Sequence, residues 1–369
     1  MKEIIISLNN ENKEFSDIEK LKKSNEYWDS KLNNEERISS PQNQDCEFSI
    51  VVPVYNEDNE RLEKQIDSFR KQSIDSTKYE ILYVVNNDLI SEDLGDELIR
   101  AKNLETINML RSIEDLPVYV IDKSSKGHEI EDCNVGKARN RGVAEASKRF
   151  YENNKNGILI QTDADTHFDD PDYLIKVQNI FKESPDVIGI AGGLVYEVDL
   201  DLKDPDKKLE QQEKINRFLM LKKWELFNRS LKKGKIESGL LKTTFSGANM
   251  ISKSFETAVI GGLIDASSGE DPRFGKDLSD YANNNHKKVI GMKEELKVVT
   301  SLRDSDRTPA SFKKVFDQID LSKPLEVKGQ VITPELLKEY ENKIIEMENG
   351  KELIDNIEKL INGIRFSRS

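Results

Sequence analysis

Apolar residues in this chain gather in short runs rather than long blocks. "FSIVVPV" (48–54), "YEILYVV" (79–85), "PVYVID" (117–122), "GILIQTD" (157–163) and "VIGIAGGLVY" (187–196) are each too short for a helix and rich in β-branched residues. Such runs predict buried strands. Between them "NERLEKQIDSFRKQS" and "GKARNRGVAEASKRFYEN" place apolar residues three and four apart, the spacing of amphipathic helices. Strands alternating with helices predict an α/β fold, a mostly parallel sheet covered on both faces.

The flanks read differently. Residues 1–46 are polar, with scattered Ile18, Leu21, Tyr27 and Trp28, and predict a helical, partly mobile amino-terminal extension. Residues 206–235 carry Ile215, Phe218, Leu219, Trp224 and Phe227 at helical spacing, predicting a helix packed on the sheet domain or, given its lysines, laid on a membrane surface. From 309 to 369 the pattern is polar and helical again, with Thr333 and Pro334 as a helix start and Gly350 as a break.

Composition narrows the function. The 369 residues carry a net charge of −13, which argues against a broad nucleic-acid face. Neither a membrane-spanning run nor a secretory leader is evident, so the expected location is the cytosol, with peripheral contact at the inner face of the membrane as the alternative. Cys46 and Cys133 stand far apart, with no CxxC pair and no disulfide framework.

The chemistry gathers where strands end. In open α/β sheets ligands collect beyond the carboxyl ends of the strands, so Asn56, Glu57, Asn86, Asn87, Asp88, Asp163 and Asp165 should share one edge. In "ILIQTDADTHFDDPDYL" Asp163 and Asp165 stand close together at the end of a buried strand, where like charges repel and burial penalises each. A divalent cation resolves that conflict: Mg2+ and Mn2+ commonly bridge one or two carboxylates to a substrate's phosphates. Asp169 and Asp170, before Pro171, read instead as a helix cap, and His167 is the histidine nearest the acidic group. Glu270 and Asp271 lie between a glycine turn and an amphipathic helix, where a carboxylate is either a cap or a base for an acceptor hydroxyl. "NVGKARNRG" (134–142) opens a helix with Gly136, Lys137, Arg139 and Arg141, a combination suited to phosphate. Arg303 and Arg307 either close over a diphosphate or pair with Asp304 and Asp306.

In order and spacing, "SIVVPVYNED", "VVNND", "NVGKARNRGV", "ILIQTDADTHFDDPDYL", "FSGANMISK" and "GGLIDASSGED" together resemble a family 2 glycosyltransferase of the GT-A fold, over residues 47–308. The resemblance implies a Rossmann-like sheet domain over that span, with 1–46 and 309–369 as extensions. It implies a nucleotide-diphosphate sugar donor, a carbohydrate, glycolipid or glycoprotein acceptor, and Mn2+ or Mg2+ as cofactor. Pro53, Tyr55, Asn56 and Glu57 would line the nucleotide pocket, with Asn87 and Asp88 near base and ribose, where the family usually has an Asp pair. Gly136 and Arg139 would approach the diphosphate, joined by Arg303 and Arg307. Asp163 and Asp165 would hold the metal, Asp163 also touching the donor, and Gly247 to Asn249 would border the donor sugar and the acceptor. Asp271 matches the family's base, with Glu270 as second choice, and the anomeric configuration would invert. Two other readings remain: a nucleotidyltransferase, although "PVYNEDNERL" lacks a glycine-rich basic loop, and a non-catalytic nucleotide- or glycan-binding module.

Overall fold

The computed structural model describes residues 17–33, 37–87, 94–198, 205–233, 245–301, 319–327, 329–347, 350–351, 354–355, 358 and 364–366. The chain forms two compact units, one from Met1–Gly193 with Thr243–Val298, the other from Leu194–Lys242 with Val299–Ser369.

The first unit is the expected α/β sheet. Strands β1 (Phe48–Val54), β2 (Tyr79–Asn86), β3 (Val118–Lys123) and β4 (Ile158–Gln161) run parallel in the order β3-β2-β1-β4. Beyond β4 the order continues with β7 (Met250–Lys253), β6 (Val187–Val198), β8 (Lys288–Ser301) and the two-residue β5 (Thr166–His167). There β7 is antiparallel to both β4 and β6. All eight residues of β2 are buried, as a strand covered on both faces must be.

The pleat assigns alternate residues to the two faces. On one face the Tyr83 hydroxyl donates to Gln65 Oε1 of helix α2 (Asn59–Arg70), 3.1 Å away. Toward the other, helix α4 (Val135–Glu152) brings Gly142 so close that a Cβ there would fall 2.5 Å from Val51 Cγ1 and 2.9 Å from Val84 Cγ2. The remaining helices of this unit are α1 (Asp17–Leu32), α3 (Leu94–Arg111), α5 (Tyr173–Glu183), α7 (Ser254–Val259) and α8 (Glu270–Asn284). Helix α1 buries Ser24, Tyr27, Trp28 and Leu32, one helical stripe, and shares a hydrophobic cluster with Ala138 of α4, Ala258 of α7 and Leu263. The extension over 1–46 thus contributes an integral helix to the core of the unit.

The reading of Asp169 and Asp170 as the cap of α5 needs correction. The cap position falls on Asp172, and Pro171 lies before the helix rather than in its first turn. Asp170 accepts from the Asp172 N–H at 3.0 Å and pairs with Lys176, while Asp169 sits 3.0 Å from His167 Nε2.

In the second unit helix α6 (Pro205–Lys233) packs Trp224 and Phe227 against Ile332, Leu337, Ile344 and Ile354, the middle two from helix α9 (Pro334–Ile345). Trp224 and Phe227 are therefore used inside the protein, and Ile215 and Phe218 of the same helix are buried as well. No helix among the described residues is long and apolar enough to cross a membrane. Thr333 caps α9 by accepting from Leu336 N, with Pro334 in the first turn, as its sequence predicts. Short strands β9 (Glu326–Val327) and β10 (Gln330–Val331) pair antiparallel, and β11 (Ile364–Phe366) pairs parallel with Tyr196–Val198.

One buried ion pair ties β2 to α4. Arg149 Nη2 lies 2.8 Å from Glu80 Oε2 with both side chains 3% exposed, and Ser49 and Gln42 also donate to Glu80. Removing the carboxylate strands a buried guanidinium. Glu80→Ala should lower the free energy of unfolding by about 3–5 kcal/mol, measured by denaturant titration.

Candidate functional site

The site grows from the carboxyl end of β4. At that strand's end Thr162 N–H donates to Val51 O and its hydroxyl to Ala248 O at 2.9 Å, fixing the chain on both sides. The next turn closes with Thr166 N–H on Asp163 O. Gln65 of α2 then holds the turn from beneath, its amide donating to Asp163 O at 2.7 Å and Thr166 O at 2.6 Å. With those peptide groups occupied, the Asp163 side chain projects outward, 36% exposed. Asp165, on the same turn, is half-buried.

Arg139 joins this turn to the rest. It is 2% exposed, donates through Nη2 to Asp163 Oδ1 and through Nη1 to Gly247 O at 2.8 Å, and places Nε 3.9 Å from Glu270 Oε1. Nε itself is buried without a hydrogen-bond partner. Gly247 completes the circuit, because its N–H donates to Asp271 Oδ2 at 2.8 Å. A Cβ at 247 would lie 2.4 Å from Arg139 Nη2, so a side chain there would displace the guanidinium. Asp163, Arg139, Gly247, Glu270 and Asp271, drawn from four separate stretches of sequence, form one connected network.

The electrostatics are one-sided. Burial raises the Glu270 carboxyl above its ordinary range, with Asp271 and Asp163 adding to the rise and Arg139 opposing it. Burial likewise raises Asp271, and Asp163 adds to it, while the Gly247 N–H and Arg139 pull the other way. The start of helix α8 favours anions there, yet desolvation outweighs it. Among the described residues one guanidinium, that of Arg139, thus serves three neighbouring carboxylates, Asp163, Glu270 and Asp271. A divalent cation at Asp163 and Asp165 would add positive charge beside these carboxylates. Among the described residues no group of three or more His, Cys, Asp or Glu is gathered around one point. Mg2+ and Mn2+ do not require one, since substrate phosphates and water complete their shells.

The other predicted residues are spread along the strand ends and the start of α4. Pro53 lies within β1 opposite Val84, and Tyr55 and Asn56 come after the strand, half-buried. Asn56 adopts φ +47° and donates its N–H to Asn103 Oδ1 at 2.8 Å. Glu57 is 1% exposed and accepts from Asp58 N–H. Asn87 succeeds β2 with its N–H on Lys123 O, and its side-chain amide is fully buried with neither Oδ1 nor Nδ2 partnered. Two residues are committed to the scaffold instead. Asn249 uses its amide on Gly193 O and Leu296 O and accepts from the Tyr173 hydroxyl, so the side chain sustains the sheet. Gly136 gives its N–H to Ala266 O, and Asn134 takes that of Lys137, so these two amides at the start of α4 bind protein rather than a phosphate. Asp88, Arg303 and Arg307 lie outside the described residues. Sequence reasoning missed Gln65, a polar position on an amphipathic helix with no signal of its own. It also missed Asn140, which stands inside a quoted motif.

The buried carboxylates set a testable sign. A carboxyl raised by burial favours folding when protonated, so its contribution is present below the unfolded-state value and lost as pH rises through the folded one. Glu270→Gln should therefore melt above wild type near neutral pH, the gain vanishing below about pH 4, where an unfolded glutamate is itself protonated. Thermal unfolding across that range checks it.

No family model and no curated protein matches the chain. Solved structures do show likeness. The mannosyltransferase PcManGT from Pyrobaculum calidifontis, in complex with GDP-Man and Mn2+, is 15% identical over 83% of this chain and 70% of its own, with a TM-score of 0.43. S. aureus TarS 1-349 in complex with UDP-GlcNAc is 13% identical over 86% of this chain and 72% of its own, with a TM-score of 0.45.

Proposed function

We propose that the protein is an inverting, metal-dependent glycosyltransferase of the GT-A type, moving a sugar from a nucleotide-diphosphate donor to a hydroxyl of a carbohydrate, glycolipid or glycoprotein acceptor. The observation that carries this reading is the single network in which Arg139 and Gly247 bring Asp163 of the β4–β5 turn to the Glu270–Asp271 helix start. Leaving-group and acceptor chemistry need those two ends close together, and the residues predicted for each are the ones joined.

Each residue then has a role. Asn87, with a buried amide that no protein group satisfies, faces the nucleoside together with Tyr55, Asn56 and Glu57. Arg139 lends its fixed positive charge to the leaving diphosphate, where a held cation stabilises developing charge without reorganising. Asp163 and Asp165 would hold Mn2+ or Mg2+, whose Lewis acidity stabilises the departing phosphates. Asp271 has Oδ2 fixed by the Gly247 N–H, and its other oxygen takes the acceptor proton. The acceptor oxygen attacks the anomeric carbon opposite the leaving group, the bond to the diphosphate oxygen breaks, and configuration inverts. A base with a raised pKa is better matched to this task than an ordinary aspartate.

A panel of nucleotide sugars, assayed for Mn2+-dependent release of nucleoside diphosphate, tests the reading. Asp271→Asn should lower kcat by about 10²- to 10⁴-fold while calorimetric donor affinity stays near wild type. Asp163→Ala should instead weaken donor binding in the presence of Mn2+. Consumption of a nucleoside triphosphate with pyrophosphate release, or donor binding without any turnover, would overturn it.

A further inference from the structure

We propose that helix α1, outside the segment that resembles a transferase, is a working part of the site: with Asn140 of α4 it clamps the 260–266 turn and so fixes where Glu270 and Asp271 stand. The proposal rests on the reading of Asp271 as the base.

Asn140 is fully buried and uses both ends of its amide on the turn. Nδ2 donates to Leu263 O at 2.6 Å and Asp265 Oδ1 at 2.9 Å, while Oδ1 accepts from Leu263 N–H at 2.9 Å and from the Tyr27 hydroxyl of α1 at 3.3 Å. Lys31, one turn further along α1, donates to both Asp265 oxygens at 3.0 and 2.9 Å. A backbone bond from Gly136 to Ala266 O closes the far side. The fit leaves no slack. Gly262, at φ +68°, could carry no Cβ, which would lie 2.5 Å from Asn140 Oδ1 and 2.6 Å from Tyr27 Oη, and one at Gly136 would lie 2.3 Å from Ile264 O.

The clamp matters because the candidate base lies only a few residues beyond it. Ser267, Ser268 and Gly269 are exposed, and helix α8 begins at once with Glu270 and Asp271 in its first turn. The first amides of a helix lack intrahelical partners, and a side-chain cap usually steadies them. Here the cap residue is Gly269, in the left-handed region and without a side chain to offer. Upstream support must come from the clamped turn, and α1 supplies two of its contacts. Tyr27, Lys31 and Asn140 are therefore positioning residues, acting through the backbone that presents Asp271.

The Lys31–Asp265 pair is partly exposed, at 25% and 39%, so breaking it leaves the fold intact and tests the clamp directly. Lys31→Ala and Asp265→Ala should each lower kcat for transfer by about 2- to 5-fold, with donor affinity unchanged and faster amide hydrogen exchange across 260–271. The double variant should be no worse than the more impaired single one, and Lys31→Arg should restore wild-type behaviour. Asn140→Ala should cost about 10²-fold in kcat, again without loss of donor affinity. Unchanged kcat and exchange in the Lys31 and Asp265 variants would overturn the proposal, as would equal losses of turnover and donor affinity. Should the wild-type protein turn over no nucleotide sugar, the transfer reading fails alone, and the exchange of 260–271 then decides whether the clamp exists.

Discussion

The site depends on one guanidinium that the protein keeps from water. Arg139 is buried, yet it faces carboxylates on two sides and a carbonyl on a third. A buried charge is tolerated only when paired and hydrogen-bonded, so each neighbour of Arg139 is also a constraint on the backbone that carries it. Asp163 arrives from the end of β4, Gly247 from the loop before β7, and Glu270 from the start of α8. Their convergence is a consequence of neutralising one cation. The same requirement explains why residue 247 has no side chain, since a methyl there would occupy the space of Nη2.

Parallel topology makes that convergence possible. Strands β1, β2 and β4 all deliver their carboxyl ends to one rim, and α4 returns across the sheet so that Arg139, near its start, reaches the same rim. Gly142 lets the helix approach Val51 and Val84 closely. The antiparallel turn to β7 and β6 then brings the 245–249 loop and its Gly247 alongside Thr162. Polar groups at this rim are consumed in holding the arrangement, as with Asn249 and the amides of Gly136 and Lys137.

Much of this is legible in the sequence alone. The strands of the parallel half carry uninterrupted apolar runs, and helix α4 carries a clear stripe, because both are packed on an extended core. Asp163, Arg139, Glu270 and Asp271 stand out since acids at strand ends and cations at helix starts conflict with the local environment unless something answers them. Strand β8 escapes notice because only its last third is buried, and its Lys and Glu positions conceal any period. The cap of α5 is misplaced by two residues or more because several acids in "FDDPDY" have equal local claim, and their separate partners, His167, Lys176 and the Asp172 amide, come from folding. Gln65 and Asn140 carry no signal of their own: an amide's importance lies in which distant peptide groups it meets.

That last class of residue links stability to reactivity. Glu270 and Asp271 are held where burial disfavours their charged form, so the native state works against its own site. A helix start with no side-chain cap would relieve the strain by fraying, turning both carboxylates toward water. Fixing the preceding turn from two helices denies that escape, and the energy for it comes from the packing of Trp28, Tyr27 and Leu263 in the surrounding core. Exposed polar residues such as Lys22, Lys23, Glu26 and Asp29, which make the amino-terminal stretch look like an appendage, are thus only its outer face. Its inner face belongs to the same cluster as α4, and through that cluster the stability of the sheet goes into keeping two acids dry.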